Sequence, residues 1–168
     1  MSIEKQLCRI AEGDDRAFEE LYLSTRRGVY AFLYTYFHNH YDTEDAVQSV
    51  YLKVKRSIHQ YDASRGNGRA WLLQIAKNHA KNELRRNARE ESMEDPDLFS
   101  SPSSDPLPVT DMMERVLTEE ERRLIVLHVL WGYKHRELAQ MLGVPTGTVT
   151  SKYKRAIEKL RRAWKEEA

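Results

Sequence analysis

LAQMLGVPTGTVTSKYKRAIEKL, residues 138–160, has the pattern of two helices joined by a tight bend. Leu138, Ala139 and Leu142 fall on one face of the first helix, and Gly143 permits the left-handed backbone that a sharp bend needs. Apolar residues then recur at steps of three and four along the second helix: Val149, Tyr153, Ala156 and Leu160. This spacing is that of a helix-turn-helix unit, and it predicts a helical domain in this part of the chain.

The opposite face of the second helix carries hydroxyl and basic side chains. They are Thr146, Thr148, Thr150, Ser151, Lys152, Lys154, Arg155 and Lys159. Hydroxyls and N-terminal amides can contact phosphates and base edges in a DNA groove, and longer basic side chains can reach across the backbone. No acid appears on this face before Glu158, which favours DNA binding over a hairpin that only packs.

Helical periodicity also runs through the first half of the chain. Apolar residues recur at steps of three and four over about 18–36, 42–58 and 69–87. We expect Asp42 or Thr43 to cap the middle helix, since both side chains can accept from a first-turn N–H. Because no segment alternates like a strand, the predicted fold class is all-α.

Residues 90–110 differ in composition from both flanks. They hold four of the five Pro, together with Ser and acids, and this composition does not support a helix. The formal charge is +4 for residues 1–89, −9 for 90–120 and +6 for 121–168, within a total of +1. We therefore predict two small helical domains, residues 1–89 and 111–168, joined by a flexible acidic linker over 90–110.

The composition argues against several functional classes. One Cys among 168 residues can form no internal disulfide. The six His are scattered, and neither a metal-ligand spacing nor a nucleophile motif appears, so we expect no enzyme, no metal site and no cofactor. No apolar run approaches the roughly 18 residues that span a bilayer, and no signal-peptide core is present. We expect a cytoplasmic protein that does not insert into membranes.

Three motifs, in order along the chain, resemble one bacterial protein family. DTEDAVQSVYLKVKRSIHQYD (42–62) and RAWLLQIAKNHAKNELRR (69–86) are similar to region 2 of sigma-70 family sigma factors of the extracytoplasmic-function (ECF) group. GVPTGTVTSKYKRA (143–156) resembles the region 4 signature of the same group. The resemblance implies a sigma factor that binds core RNA polymerase, with region 2 on the −10 promoter element and region 4 on the −35 element.

The resemblance also implies two sets of DNA contacts. Residues assigned to the −35 element are Thr148, Thr150, Ser151, Lys152, Lys154 and Arg155. Among these, Lys152 is expected to contact a phosphate, since the family gives it no base-reading role. Residues assigned to the −10 element are Asn78 and Asn82 on the third long helix, and Arg65, Asn67 and Arg69 in and beside the loop 63–68. A base that is flipped out of a single DNA strand needs exposed amide groups to bond its edge and basic side chains around them, and this loop can provide both.

Protein partners are implied in the same way. In the family, the outward face of the second long helix, here Asp45, Gln48 and Ser49, docks on the clamp helices of the polymerase β′ subunit. Region 4 is expected to contact the β flap. Many members are held inactive by an anti-sigma factor, which makes such a factor a candidate partner. We expect the free protein to be a monomer.

Some positions depart from the family pattern. Ser49 stands where Glu is usual, and Thr150 stands where Lys or Arg is usual. One polymerase contact and the −35 preference are therefore expected to differ from those of other members. Lys134 and Arg136 replace the usual Ser and Glu, which removes a good helix cap and adds two bases.

Two other classes of protein fit parts of the sequence. A helix-turn-helix repressor or activator would use residues 1–89 for dimerisation or sensing and would bind two half-sites as a dimer. A monomer in size-exclusion chromatography, or a 1:1 complex with core polymerase, favours the sigma factor instead. A helical interaction protein with no role on DNA would be marked by binding that is insensitive to salt.

Overall fold

Helices make up the architecture. The computed structural model describes residues 1–91 and 108–168, with the backbone alone for 108–110. Within these residues there is no strand, and the α-helices are α1 Ile3–Ala11, α2 Asp15–Phe37, α3 His40–Ser57, α4 Gly68–Glu91, α5 Pro108–Val116, α6 Glu119–Ile125, α7 His135–Leu142 and α8 Thr146–Glu167. The all-α fold class predicted from the periodicity is confirmed.

The chain divides into two compact units, Met1–Ser103 and Ser104–Ala168, so the prediction of two small helical domains is confirmed. The first unit contains α1 to α4 and the second α5 to α8. Most of the predicted linker lies outside the described residues, and its flexibility and limits stay a prediction. At its edges the expected absence of helix is wrong, since α4 runs to Glu91 and α5 begins at Pro108. Proline is tolerated there because a first-turn N–H has no helical partner to lose.

Apolar faces of α1 to α4 form the core of the first unit. Its fully buried side chains include Leu7, Leu21, Val29, Leu33, Val50, Val54 and Leu72. Thr25 and Tyr51 bring polar atoms into this core, and their hydroxyl oxygens lie 2.7 Å apart in a hydrogen bond. The Tyr51 ring also meets Tyr22 edge to face, with 4.9 Å between ring centroids. These contacts hold the inner sides of α2 and α3 together and leave the outer side of α3 in solvent.

The junction between α2 and α3 lies earlier than the sequence predicted. His38 takes a left-handed backbone, φ +57°, and ends α2. Asn39 then caps α3, because its side-chain oxygen accepts from the Asp42 N–H at 2.8 Å. The predicted cap at Asp42 or Thr43 is wrong. The Thr43 hydroxyl is used differently, donating to the Asn39 carbonyl oxygen at 2.6 Å.

In the second unit, α6 begins with a capping box. The Glu121 N–H donates to the Thr118 hydroxyl at 3.3 Å, and the Thr118 N–H donates to the Glu121 carboxylate at 2.9 Å. After α6 the chain makes a π-helical turn over Val126–Leu130, in which the Trp131 N–H reaches back to the Val126 carbonyl oxygen. This wider turn carries the chain into α7.

The core of the second unit lies between α5, α6, α7 and the inner side of α8. Its buried side chains include Met112, Met113, Leu117, Leu124, Ile125, Trp131, Tyr133, Leu138, Val149 and Ala156. Leu142, predicted to share the inner face of α7, is instead 61% exposed. Gly143 ends α7 with φ +66°, so Leu142 lies on a last turn that α8 does not cover.

His79 is buried on the inner side of α4, only 5% exposed. Its Nδ1 lies 2.9 Å from Lys53 Nζ, and since an ammonium group can only donate, Nδ1 accepts and the imidazole is neutral. Burial lowers the pKa of His79 below its ordinary 6.5, and the Lys53 charge lowers it further. The neighbouring carboxylates of Asp45 and Glu83 oppose this shift in part.

Acidification should therefore destabilise the first unit. Because the pKa of His79 is lower in the folded chain than in the unfolded chain, protons bind the unfolded state first. The free energy of unfolding should fall as the pH drops from about 6.5 towards the folded pKa. We expect thermal unfolding of the full chain at several pH values to show a smaller pH slope for His79→Gln than for wild type. The matched control is exposed His59→Gln; equal slopes for both variants would contradict a neutral buried His79.

Candidate nucleic-acid interface

The bend between α7 and α8 fixes which side of α8 meets solvent. The Gly143 N–H donates to carbonyl oxygens of the last turn of α7, and Pro145 precedes the first turn of α8. Val149 and Ala156 then lie against the core of the unit, both almost fully buried. The opposite side of α8 is left uncovered, as the helix-turn-helix pattern predicts.

Four predicted −35 residues share this uncovered side. Thr148, Ser151, Lys154 and Arg155 are exposed, and we call them the α8 face. Ser151 follows Thr148 by three positions, and Lys154 and Arg155 follow Ser151 by three and four, so the four side chains lie side by side over two turns. Arg155 Nε donates to the Ser151 carbonyl oxygen at 3.4 Å, which lays the arginine stem along the helix. The face offers two hydroxyls and two cations to one partner surface.

Lys152 lies on one edge of the α8 face. Its ammonium pairs with the Glu120 carboxylate at the start of α6, 2.9 Å away. One heptad on, Lys159 pairs with Glu121 at 2.8 Å. The sequence of α8 indicated a basic face without nearby acids. This is wrong for these two lysines, because folding brings the carboxylates of α6 beside them. An ion pair between solvent-exposed side chains contributes little to stability, so a phosphate could compete for Lys152.

Thr150 lies on the other edge of the α8 face and is half-buried. Its hydroxyl oxygen is 3.0 Å from Nδ1 of His135, the first residue of α7. The predicted −35 residues are therefore not equivalent. Four face solvent, Lys152 is paired with α6, and Thr150 is held by α7.

In the first unit, an ordered loop leads into α4. Ser64 donates from its N–H and its hydroxyl to one Asp62 carboxylate oxygen, at 2.9 and 2.6 Å. These bonds, the hydroxyl first, lower the pKa of Asp62. Arg65 reaches the other Asp62 oxygen at 3.4 Å but keeps most of its side chain in solvent. At the base of the loop, Tyr61 meets Trp71 edge to face, with ring centroids 5.3 Å apart.

The start of α4 uses two of the residues assigned to this loop. Asn67 caps the helix, since its side-chain oxygen accepts from the Ala70 N–H at 2.7 Å. Its amide NH2 group is the part left for a ligand. Arg69, on the first turn, is half-buried. The pKa of Glu4 is lowered because its carboxylate accepts from its own backbone N–H and from that of Gly68, and the charge of Arg69 adds to this shift.

Asn78 and Asn82 continue the polar surface along α4. Both are exposed, one turn apart, and Lys81 and Arg85 are exposed on the same side. We call these four residues the α4 stripe. Gln74 donates to the Asn78 side-chain oxygen at 2.8 Å, which orients the Asn78 amide with its NH2 group outward. The sequence reasoning found the two amides but missed the two cations, which helical spacing from Asn78 would have indicated.

Gly68 joins this interface to α1. Its N–H donates to Glu4 Oε1 at 2.8 Å, and it is buried against α1. A Cβ at this position would lie 2.8 Å from Ile3 Cγ2 and 2.9 Å from Leu7 Cδ1, closer than carbon atoms pack. Leu7 is fully buried and cannot move aside easily. The absence of a side chain at Gly68 thus sets how closely α1 supports the loop.

Gly68→Val should destabilise the first unit by about 1–3 kcal/mol, the usual cost of overpacking. Thermal unfolding of the full chain measures this loss. Gly66→Val is the matched control, because a Cβ there would meet nothing within 4 Å. Equal losses for both glycines would mean that α1 does not support the loop.

The outer side of α3 carries the residues assigned to polymerase. Asp45 and Gln48 are exposed, while Ser49 is half-buried at the edge of the same side. Two large residues that were not identified from the sequence are also exposed on this side: Tyr41, one turn before Asp45, and Leu52, one turn after Gln48. Tyr41, Asp45, Gln48 and Leu52, spaced by three and four, are called the α3 face. Exposed aromatic and aliphatic groups mixed with polar ones are typical of a protein-binding surface.

Comparisons with known proteins agree with both halves of this arrangement. The sigma-70 region 2 family model matches residues 21–90, and the sigma-70 region 4 family model matches residues 111–160. The ECF RNA polymerase sigma factor RpoE of Cereibacter sphaeroides is 31% identical over 159 residues, covering 88% of this chain and 86% of that protein. The chain belongs to the ECF sigma factors of the sigma-70 family.

Other ECF sigma factors are similar over nearly the same length. SigC of Mycobacterium tuberculosis is 30% identical, covering 89% of this chain and 84% of that protein. The sigma factor RpoE of Bartonella quintana, solved in complex with the anti-sigma factor NepR, gives a TM-score of 0.65 at 25% identity, covering 88% of this chain and 95% of that one. CnrH, solved in complex with the cytosolic domain of CnrY, shares the fold with a TM-score of 0.63 at 23% identity and 98% coverage of both chains.

As an ECF sigma factor, the protein directs transcription initiation, and sigma factors are initiation factors without catalytic activity of their own. The interpretation of the sequence as a sigma factor is thus confirmed, in preference to a dimeric helix-turn-helix regulator or an interaction protein with no role on DNA. Within residues 1–91 and 108–168, no three His, Cys, Asp or Glu side chains lie close enough to hold a metal ion. No helix in those same residues is long and apolar enough to cross a bilayer.

Proposed function

We propose that this sigma factor reads the −35 element with the α8 face. The observation that carries this proposal is the exposure of Thr148, Ser151, Lys154 and Arg155 on the one side of α8 that the core does not cover. Ser151 and Arg155 can reach base edges, since both are exposed and lie one turn apart on this side. Lys154, to which the family resemblance also assigns a base contact, is exposed beside them. Lys152 can reach a phosphate only by leaving Glu120.

The −10 element is proposed to meet the α4 stripe and the loop before it. Asn78 and Asn82 present amides that can pair with base edges of a separated strand, while Lys81 and Arg85 beside them can neutralise its phosphates. The loop offers the exposed guanidinium of Arg65 and the NH2 group of Asn67, and the half-buried Arg69 follows on the first turn of α4. These groups suit a single flipped base better than a duplex, because they surround a short turn rather than line a groove.

Core RNA polymerase is proposed to bind the α3 face through the clamp helices of its β′ subunit. The face combines the exposed Tyr41 and Leu52 with the carboxylate of Asp45 and the amide of Gln48. Apolar groups at the centre of a protein interface contribute most of its affinity, and polar neighbours set its register. Ser49, at the edge of this face, is proposed as a secondary contact.

The docking proposal is tested by a pair of leucine substitutions. Leu52→Asp should weaken binding to core polymerase at least tenfold, because it puts a charge into an interface that excludes water. Leu23→Asp is the control, since Leu23 on α2 is 62% exposed and Leu52 is 55% exposed. Binding would be titrated with fluorescently labelled full-length chain. If both variants bind as tightly as wild type, the α3 face is not the docking surface.

Two further partners are proposed for the second unit. Its exposed apolar residues are Val129, Leu130, Met141, Leu142 and Trp164. Such residues are available to the polymerase β flap or to an anti-sigma factor, and a structural relative was solved with an anti-sigma factor bound. We propose that the free chain is a monomer in the cytoplasm, where polymerase and promoter DNA are found.

A further inference from the structure

A packed histidine pair stands behind one edge of the α8 face. His128, in the π-helical turn, and His135, at the start of α7, have ring centroids 4.5 Å apart. Both rings also meet Tyr153 of α8, with centroid distances of 4.7 and 5.0 Å. The cluster links the turn, α7 and α8, and it reaches a predicted DNA-binding residue through His135, whose Nδ1 lies 3.0 Å from Thr150 Oγ1.

The proton positions on these rings follow from their neighbours. His128 Nδ1 lies 2.7 Å from the Tyr133 carbonyl oxygen, which can only accept, so Nδ1 carries the proton. His135 Nε2 is buried without a hydrogen-bond partner in the described residues. A buried N–H without a partner is rarer and more costly than an unpaired acceptor. The neutral form of His135 therefore carries its proton on Nδ1, and burial, together with the nearby His128, lowers its pKa and so favours that form.

This tautomer decides the role of the Thr150 hydroxyl. A hydroxyl has one hydrogen and two acceptor lone pairs. With His135 Nδ1–H donating to it, one lone pair is occupied and the hydroxyl hydrogen must point elsewhere. Thr150 is half-buried and lies next to Ser151, so that hydrogen can be directed towards the surface where the α8 face meets DNA.

We propose that His135 is a positioning residue for promoter recognition, which makes the Thr150 hydroxyl a hydrogen-bond donor to an acceptor atom of the −35 duplex. The inference rests on the proposed role of α8 in reading that element. The acceptor is either a base-edge nitrogen or oxygen or a phosphate oxygen, and the chemistry required of Thr150 is the same for both. His135 acts through Thr150 and does not itself touch DNA.

The test uses holoenzyme assembled from core polymerase and the full-length chain, on a promoter library randomised at the −35 element. We compare wild type with His135→Phe, which keeps an aromatic ring but has no N–H, with Thr150→Val, which has no hydroxyl, and with their combination.

For a base-edge acceptor, each single variant should lose about 2- to 10-fold of the preference at the same one or two base pairs. For a phosphate acceptor, each should weaken binding by a similar factor on every sequence. In both cases the double variant should lose no more than one single variant, because the two side chains act as one unit.

Thr150→Ser, which retains a hydroxyl, should keep the wild-type pattern. His135→Gln, which retains a side-chain N–H, should keep more of it than His135→Phe, and this second variant covers the case in which His135→Phe folds poorly. Additive losses, or a loss for Thr150→Val with none for His135→Phe, would overturn the proposal. Ser151→Ala and Arg155→Ala distinguish a failure of the proposed −35 reading by α8 from a failure of the proposed role of His135. If these leave the library pattern unchanged, the proposed reading by α8 fails. If they change it while the variants at Thr150 and His135 alter neither the pattern nor the overall binding, only the role of His135 fails.

Discussion

Replacing Leu138 with Ala should lower the free energy of unfolding of the second unit by about 2–5 kcal/mol. Leu138 is 1% exposed and packs where α7 meets α8, so the substitution leaves a cavity at the bend. Natural domains are stable by about 5–15 kcal/mol, and small ones lie near the lower limit. The variant should therefore be partly unfolded near 37 °C and should lose −35-dependent transcription.

Leu142→Ala is the matched control for this result. Leu142 follows Leu138 by one helical turn but is exposed, so its truncation should change stability by about 0.5 kcal/mol or less. Urea unfolding of the full chain, followed by tryptophan fluorescence, compares the two, because Trp131 is buried in the same core. Equal destabilisation by both substitutions would mean that Leu142 belongs to the core, as the sequence pattern alone predicted.

Arg155→Ala should reduce transcription by about 5- to 150-fold on promoters that carry the preferred base pair. The range corresponds to the 1–3 kcal/mol of discrimination that a good arginine–guanine contact supplies. On promoters altered at that one or two base pairs, the same substitution should have little further effect. Arg155 is exposed on the α8 face one turn beyond Ser151, and its guanidinium can bond a guanine edge at two points, which is why its effect should depend on sequence.

Lys152→Ala provides the contrast. Because Lys152 pairs with Glu120 in the free protein, its substitution should weaken binding only modestly and evenly across sequences. If Lys152 does reach a phosphate, the salt dependence of binding should fall by about one unit of slope. A promoter-variant panel at several salt concentrations measures both effects. If Arg155→Ala and Lys152→Ala lower binding equally on every promoter, Arg155 contacts only the DNA phosphates and reads no base.

Local periodicity was enough to predict most of the helices and the side of α8 that faces the core. Val149 and Ala156 are buried because a 3.6-residue repeat can place apolar groups on one side only, and this follows from sequence spacing. The bend at Gly143 was predictable for a similar local reason, since its left-handed backbone favours glycine. These features depend on residues within a few turns of each other.

Features set by distant parts of the chain were not predictable in this way. Lys152 and Lys159 looked like free bases because the acids of α6 that pair with them lie more than 30 positions earlier. Likewise, nothing near Gly68 in the sequence indicates that α1 packs against it. The cap of α3 was missed for another reason: Asn39, Asp42 and Thr43 are all good caps, and local propensity could not rank them.

Two separate DNA-reading surfaces on one sigma factor should give two independent promoter preferences, and transcription from a doubly randomised promoter library tests this most directly. Purified core polymerase and the full-length chain would initiate on templates randomised around −35 and −10, and the transcripts would be sequenced for wild type, Arg155→Ala and Asn78→Ala. We predict two preferred elements, with Arg155→Ala changing only the −35 preference and Asn78→Ala only the −10 preference. A preference at one element alone, or variants that each alter both elements or neither, would show that the two surfaces do not read DNA separately.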